Sequence, residues 1–513
     1  MAVAPGNKMT IHQKFEPSGS EGVEREPLYA EHEKVFPKAV KGTFRRIKWA
    51  VMIVTLGIYY LVPWIRWERG PGLPSQAVLI DLEEQRLWLG PMEIWAQEFY
   101  YVTGALVLAA LGLFLFTSVA GRVWCGFACP QTVWTDLMVA VERFWQGDRN
   151  ARMKLEAAPW SLRKLWIKTA THVSWLLIAI ATGGAFVFYF RDAPTLLVEL
   201  FSGTAPISAY VFVLVFTATT YVLGGLAREQ VCIYMCPWPR IQAAMIDRNT
   251  LLVSYRIARG EPRAAHKKGD TWDGRGDCID CRQCVAVCPT GVDIRDGLQL
   301  GCIQCGLCID ACNGVMDKVG RPQGLIAYTT ERCAVSSCAE PRRGWKLIRP
   351  RTVLYTVVIT ALASFMAWSL LTRSDLEFSV APERNPLFVR LSDGALRNTY
   401  LVKIVNKREQ PRRLRIVISG IEGATATLLG DGEGDTIVEA PSANVVAAKL
   451  FVRVPIGSQA KLRGESTPLR IEVRDEAGGN VRVRDTTFRG PPAASPPPSG
   501  VSVPLSINGG GRP

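Results

Sequence analysis

The sequence predicts a multi-domain chain: a helical transmembrane domain of about five spans, an inserted α+β segment of the bacterial two-cluster ferredoxin-like kind, and a C-terminal immunoglobulin-like β-sandwich. Three observations predict it. Five stretches of about 20 mainly apolar residues recur, each long enough to cross a hydrocarbon core about 30 Å thick. Eight of the fourteen cysteines form a doubled run of C-x2-C-x2-C-x3-C. Beyond Arg373, short alternating runs separated by turn residues replace the apolar stretches.

Composition narrows the function classes. A hydrophobic share of 48% over 513 residues leans towards a membrane protein. The net charge of +14 comes from Lys and Arg beside the apolar segments. No basic stripe with interleaved aromatics stands apart from those flanks, so nucleic acid is not expected as a partner. Histidine is limited to His12, His32, His172 and His266, too few for a His-rich zinc site or a bis-imidazole haem.

The spans are placed near Ile47 to Trp64, Phe99 to Val119, Thr169 to Phe190, Ser208 to Ala227 and Thr352 to Leu371. They follow an N-terminal segment, 1–44; four lie in a membrane domain, 45–250, and the fifth occupies 351–372. The first begins too far from Met1, and lacks the small-residue cleavage site, to be a removed signal peptide. Lys38, Lys41, Arg45, Arg46 and Lys48 precede it, and the loop after the second span carries eight basic residues from Arg122 to Lys168. Basic residues mark the cytoplasmic side, so the N-terminus is predicted inside and the C-terminus outside a bacterial inner membrane. All fourteen cysteines then fall on or near the cytoplasmic face, which argues for reduced thiols acting as metal ligands or redox groups.

The second and fourth spans are followed by the same signature. Arg122-Val-Trp-Cys125-Gly-Phe-Ala-Cys129-Pro130 recurs as Glu229-Gln-Val-Cys232-Ile-Tyr-Met-Cys236-Pro237, an internal duplication of a span plus an interfacial segment. If each pair is helical, thiols four apart share one face. Two such pairs at one membrane surface could converge into a four-thiol site, and soft sulfur favours Cu(I), zinc or iron-sulfur centres. The structural alternative is that buried cysteine acts as a small apolar residue.

The segment 251–350 holds the doubled run: Cys278, Cys281, Cys284 and Cys288, then Cys302, Cys305, Cys308 and Cys312. In this pattern the fourth cysteine of each run reaches the other cluster. Cys278, Cys281, Cys284 and Cys312 are therefore assigned to one 4Fe-4S cluster, and Cys302, Cys305, Cys308 and Cys288 to the other. Four-cysteine zinc sites are the competing reading, but they rarely use this double repetition. Asn313 stands where a proline would usually follow the second run. Two clusters packed this way form a wire for single electrons. Cys333 and Cys338 fit no such motif and are read as incidental or regulatory thiols.

About seven short strands, including Thr399 to Val405, Leu414 to Ile418, Leu450 to Val454 and a hairpin around Asp475 to Asn480, predict the sandwich over 373–490. It carries no convergent catalytic set, so docking to a partner is expected there. The Pro- and Gly-rich tail, 491–513, reads as disordered.

These residues resemble the cytochrome c oxidase accessory proteins of the FixG, RdxA and CcoG type. The likeness covers nearly the whole chain: Val35-Phe-Pro37-Lys-Ala-Val40-Lys-Gly42-Thr-Phe44-Arg before the first span, both C-x3-C-P repeats, the doubled cluster motif, Asp310-Ala-Cys312-Asn-Gly-Val-Met-Asp-Lys and the outer sandwich. The resemblance implies reduction of Cu(II) to Cu(I) during copper supply to a cbb3-type oxidase, with the oxidase assembly components as partners. On that reading copper is held by Cys125, Cys129, Cys232 and Cys236, and a cytoplasmic donor reduces the clusters. Two alternatives stay open: a quinol-linked module similar to the NapH type, and an assembly scaffold whose clusters sense redox state. The identity of the donor, and whether the chain forms a homo-oligomer, are left open by the sequence.

Overall fold

The computed structural model describes residues 34–491 apart from 71, 268, 336–344, 409, 431–435, 463 and 479–480. The chain forms two compact units, one from residues up to Trp67 and Ser75–Ile359, the other from Glu68–Pro74 and the residues from Thr360 onward. The tail from 492, like the first 33 residues, lies outside the described part.

In the first unit four helices are long and apolar enough to cross a membrane: Thr43–Trp64, Ala96–Ala120, Leu162–Val187 and Ile207–Ala227; the fifth, Pro350–Leu371, runs across the boundary between the units. The third starts seven residues before the expected Thr169. Ser161 caps it, accepting a hydrogen bond from the Lys164 backbone N–H at 3.2 Å, and the polar first turns continue into the apolar run. Small and hydroxyl residues let the spans approach. A Cβ added at Gly183 would lie 2.7 Å from the Val213 carbonyl oxygen and 2.9 Å from Thr217 Oγ1, so only glycine admits the fourth span this closely. Thr182 Oγ1 accepts from Trp134 Nε1 at 3.1 Å and its carbonyl from the Tyr59 hydroxyl at 2.8 Å, tying the third span to the first and to the helix Pro130–Gln146. On the second span Phe114 stacks on Trp238 at 5.6 Å.

The cysteine-rich segment is framed by a two-stranded antiparallel sheet, Leu252–Tyr255 with Ile326–Thr329, which closes its entry onto its exit. Val253, Ile309, Met316, Leu325 and Ile326 form its buried core together with Cys278 and Cys284. Asn313 has a structural role. The helix Leu307–Lys318 continues through it, where proline would remove a backbone bond, and its Oδ1 accepts from the Gly324 N–H at 2.9 Å. A small sheet, Val78–Asp81, Arg86–Leu89 and Met92–Trp95, lies between the first two spans. Its four-residue strands are too short to stand out by alternation.

The second unit is the sandwich. One sheet orders Thr425–Leu428, Asn444–Val454, Leu396–Asn406 and Leu376–Pro382, with Val389–Arg390 beside Leu396–Asn406; the other orders Ile437–Ala440, Arg412–Ser419, Ser466–Asp475 and Val481–Arg489. Alternation produces its core: Tyr400, Val402 and Ile404 on one sheet and Leu469, Ile471 and Val473 on the other are buried. Among the described residues the sandwich thus has nine strands where about seven were expected. The additional ones include a two-residue strand that pattern alone does not register.

Candidate redox site

The two cysteine runs curl in the same way. Asp280 and Arg282, either side of Cys281, have φ of 49° and 53°; Gln304 and Gly306, either side of Cys305, have 57° and 73°. A left-handed backbone costs a residue other than glycine about 1–3 kcal/mol, so three such residues at equivalent places mark a conformation held by its surroundings. Gly306 has a second reason to be glycine, because a Cβ there would lie 2.7 Å from the Phe44 ring.

The structure gathers the eight thiols into two sets. Cys284, Cys281 and Cys278 all act electrostatically on Cys312. Cys288 and Cys305 act on Cys302, and Cys305, Cys302 and Cys288, with Cys284 of the first set, on Cys308. A cavity of about 20 Å³ is lined by Cys288, Cys302, Cys305 and Cys308, with Cys284 at its edge. Burial pushes the Cys284 thiol up to about 11, and Cys302 and Cys312 up to about 12. Thiols this desolvated keep their protons unless a cationic centre takes their place, which suits a ligand set for a soft metal cluster. Among the described residues no three His, Cys, Asp or Glu side chains converge on one ion. A cubane takes its thiolates at separate corners and needs no such convergence.

The C-x3-C repeats also fold alike, though not as continuous helices. Cys125 lies in Val123–Phe127 and Cys232 in the π-helical turn Val231–Met235, while Cys129 and Cys236 are extended. The expectation of thiols sharing one helical face is corrected. Pro130 and Pro237 cannot continue the preceding helix and open the next one instead. In both repeats the second cysteine donates its N–H five residues back, Cys129 to Trp124 at 2.9 Å and Cys236 to Val231 at 2.8 Å. Four residues before the first cysteine the backbone is left-handed in both, at Gly121 (φ 64°) and Arg228 (φ 40°). Arg228 tolerates this because its side chain is fixed, donating to the Gly225 carbonyl at 2.9 Å and to Glu142. The four thiols lie near enough to act on one another electrostatically without three of them converging on one point: Cys129 and Cys236 influence Cys125, and Cys129, Cys125 and Cys236 influence Cys232. Burial is the main cause that pushes Cys125 and Cys232 up to about 12.

This quartet packs directly on the second cysteine run. Cys125 and Cys232 lie against Val287, Ile303, Cys305 and Leu307. A Cβ on Gly126 would stand 2.8 Å from the Ile303 carbonyl oxygen and 2.9 Å from the Cys305 Cα. Arg122 donates to the carbonyls of Leu300 at 2.6 Å, Cys302 at 3.3 Å and Pro239 at 2.8 Å, and its backbone N–H to Gln304 Oε1 at 2.9 Å. One arginine thereby joins both repeats to the cluster loop. Gln242, on the helix after the second repeat, accepts from Cys125 Sγ at 3.3 Å.

Buried ions hold the first span against the helix Pro130–Gln146, and Asp310 ties its start to the helix Leu307–Lys318 of the cluster segment. Arg45 donates twice to Asp136 at 2.8 Å, Lys48 Nζ sits 3.8 Å from that carboxylate, and the Arg45 N–H donates to Asp310 at 2.8 Å. Burial pushes the Asp136 carboxyl up, but Lys48 and Arg45 outweigh it and hold it below the usual range. Lys48 also acts on Cys305, and Arg295 on Cys284, so each thiol set has a cation beside it. Sequence reading counted Arg122, Arg45 and Lys48 only as orientation signals, and it missed Gly126, Gln242, Asp136 and Arg295. Their one sequence cue is proximity to the repeats. Cys333 is disulfide-bonded, which corrects the reading of all fourteen cysteines as reduced thiols; Cys338 lies outside the described residues.

Apolar spans, paired cysteine runs and a sandwich define a membrane iron-sulfur redox protein. Comparison with known families agrees: residues 102–146 match a 4Fe-4S binding domain, 227–331 a 4Fe-4S dicluster domain, and 366–491 the IG-like fold at the C-terminal of FixG. The chain is 50% identical over 469 residues to the nitrogen fixation protein FixG of Rhizobium meliloti, spanning 85% of this chain and 89% of that protein. It is 50% identical over 467 residues to protein RdxB of Cereibacter sphaeroides (90% of this chain, 97% of that one) and 49% over 457 residues to RdxA of the same organism (88% and 96%). The chain belongs to this FixG and Rdx family.

Proposed function

We propose that this chain reduces Cu(II) to Cu(I) at Cys125, Cys129, Cys232 and Cys236, supplying copper for assembly of a cbb3-type cytochrome c oxidase. The observation that carries the reading is the contact of Cys125 and Gly126 with the backbone at Cys305, which sets the membrane thiols directly against the second cysteine run. When bound, two 4Fe-4S clusters, one on Cys278, Cys281, Cys284 and Cys312, the other on Cys302, Cys305, Cys308 and Cys288, supply one-electron carriers. The quartet's thiolates favour Cu(I) over Cu(II), so binding itself helps drive the reduction. Two thiolates satisfy Cu(I), and each C-x3-C pair offers two; the metal then leaves by exchange to a carrier thiol. The basic flanks put the quartet on the cytoplasmic side and the sandwich in the periplasm, where it docks oxidase assembly components. The test is to add Cu(II) to anaerobically reduced protein and count the Cu(I) trapped by a Cu(I)-specific chelator. One Cu(I) per electron stored is expected. No Cu(I) above a cluster-free control contradicts the reading.

A further inference from the structure

A cavity of about 840 Å³ lies between the third and fourth spans, at the span ends nearest the C-x3-C repeats in sequence. Its floor is a hydrogen-bonded pair, His172 Nδ1 and the Tyr221 hydroxyl at 2.8 Å, with the Trp175 ring edge-on to the imidazole at 5.1 Å. Its lining includes exposed apolar side chains: Trp160 just before the third span, Leu165 and Leu176 on it and Leu226 at the end of the fourth.

The charges in its wall are largely paired with each other. Lys168 and Lys34 reach Glu156 at 2.6 and 3.5 Å, Lys164 donates to the Glu156 and Ala158 carbonyls, and Arg228 and Arg152 share Glu142. A wall paired in this way has little field left for an ionic headgroup. It suits a neutral ring with polar edges and an apolar tail.

The cavity is also connected to the redox residues. Arg228 and Glu229 line it and line a second, smaller cavity, whose lining also includes Cys232, Thr290 and Ile303 as well as the charged Lys48, Asp136 and Arg143. Thr290 Oγ1 is 3.4 Å from Cys288 Sγ. A ring seated beside His172 and Tyr221 thus shares a wall with the cavity that reaches Cys232 of the membrane quartet and Thr290, the neighbour of Cys288.

We infer that this cavity binds a lipid-soluble quinol and is where the chain takes up its electrons, an inference that rests on the copper-reducing function proposed above. A quinol oxidised to its quinone gives up two electrons and two protons. Two Cu(II) ions each take one electron to become Cu(I), and the protons leave through the His172 and Tyr221 pair towards Glu229 and water. The donor would then be a membrane-dissolved reductant rather than a soluble cytoplasmic protein.

The experiment is equilibrium binding of decylubiquinone to the full chain in phosphatidylcholine nanodiscs, with no copper present. Saturable binding of one quinone per chain is expected, weakened at least tenfold by Tyr221→Phe, which keeps the ring, and by Leu176→Trp, which adds bulk to the cavity lining. Iron content is the folding control for both. Equal affinity in all three proteins, or no saturable binding, overturns the inference. So does a cavity that takes cardiolipin and excludes the quinone. Because copper is absent, failure here leaves the copper reaction standing, whereas quinone binding without copper reduction would remove the copper reading alone.

Discussion

Gly126 sits where a single methyl group matters most. The segment carrying Cys125 touches the Cys305 backbone only because no Cβ intervenes, and both flanking atoms belong to main chain that cannot swing aside. Gly126→Ala should keep both clusters but push the repeat away from the cluster loop. Displacement by about 1 Å at a reacting geometry can cost on the order of 100-fold in rate. Stopped-flow reoxidation of reduced protein by Cu(II) should therefore slow by at least about tenfold, with iron content unchanged. A parental rate would mean that this contact does not carry electrons. The cysteines were legible at this scale because their spacing is itself the chemistry. Gly126 and Arg228 were not, since one depends on a backbone that arrives from residue 305 and the other on Glu142, 86 residues away.

At the scale of elements, the first span is fixed by charge to the helix Pro130–Gln146, which follows the first C-x3-C repeat. Among the described residues, Asp136 is the carboxylate that pairs with both Arg45 and Lys48. Asp136→Asn would leave buried cations without a counter-charge, a loss of about 3–5 kcal/mol for a broken buried pair. Thermal bleaching of the cluster absorbance in detergent should shift to clearly lower temperature, and an unchanged midpoint would argue against this anchor. The pH dependence has a definite sign. The carboxyl is held below its usual range when folded, so its contribution is present above its unfolded value of about 3.9 and is lost as pH falls through the lower folded value. Spans and sandwich strands were readable here because apolar length and period-two alternation are local properties. The turn that ends each C-x3-C repeat was not, because the prolines that break the helix also redirect it, and the i to i−5 bond they leave has no pattern of its own.

For the whole molecule, the proposed inside N-terminus and outside C-terminus make a simple prediction. A cysteine engineered at Ser392, an exposed position in the sandwich, should react with a membrane-impermeant reagent in intact spheroplasts. Labelling only after lysis would reverse the topology. Anaerobically isolated chain should carry about eight irons and eight acid-labile sulfides, as two four-iron clusters require, and a zinc-loaded chain without iron would remove the relay. Domain order was legible because each part has its own composition. The joint between membrane repeats and cluster loop was not, since Arg122 reads as one more basic flank until its three carbonyl partners are seen.

The central claim is that the membrane cysteines, not the cluster ligands, receive copper. The direct measurement compares the parent chain with a Cys125→Ser, Cys232→Ser double variant, each reduced by dithionite, freed of excess reductant and mixed with Cu(II) while cluster absorbance is followed. The account predicts that the variant keeps its iron, its membrane insertion and its reduction by dithionite, yet loses copper-stimulated reoxidation. Reoxidation of the variant at the parental rate would contradict it and place copper reduction elsewhere in the chain.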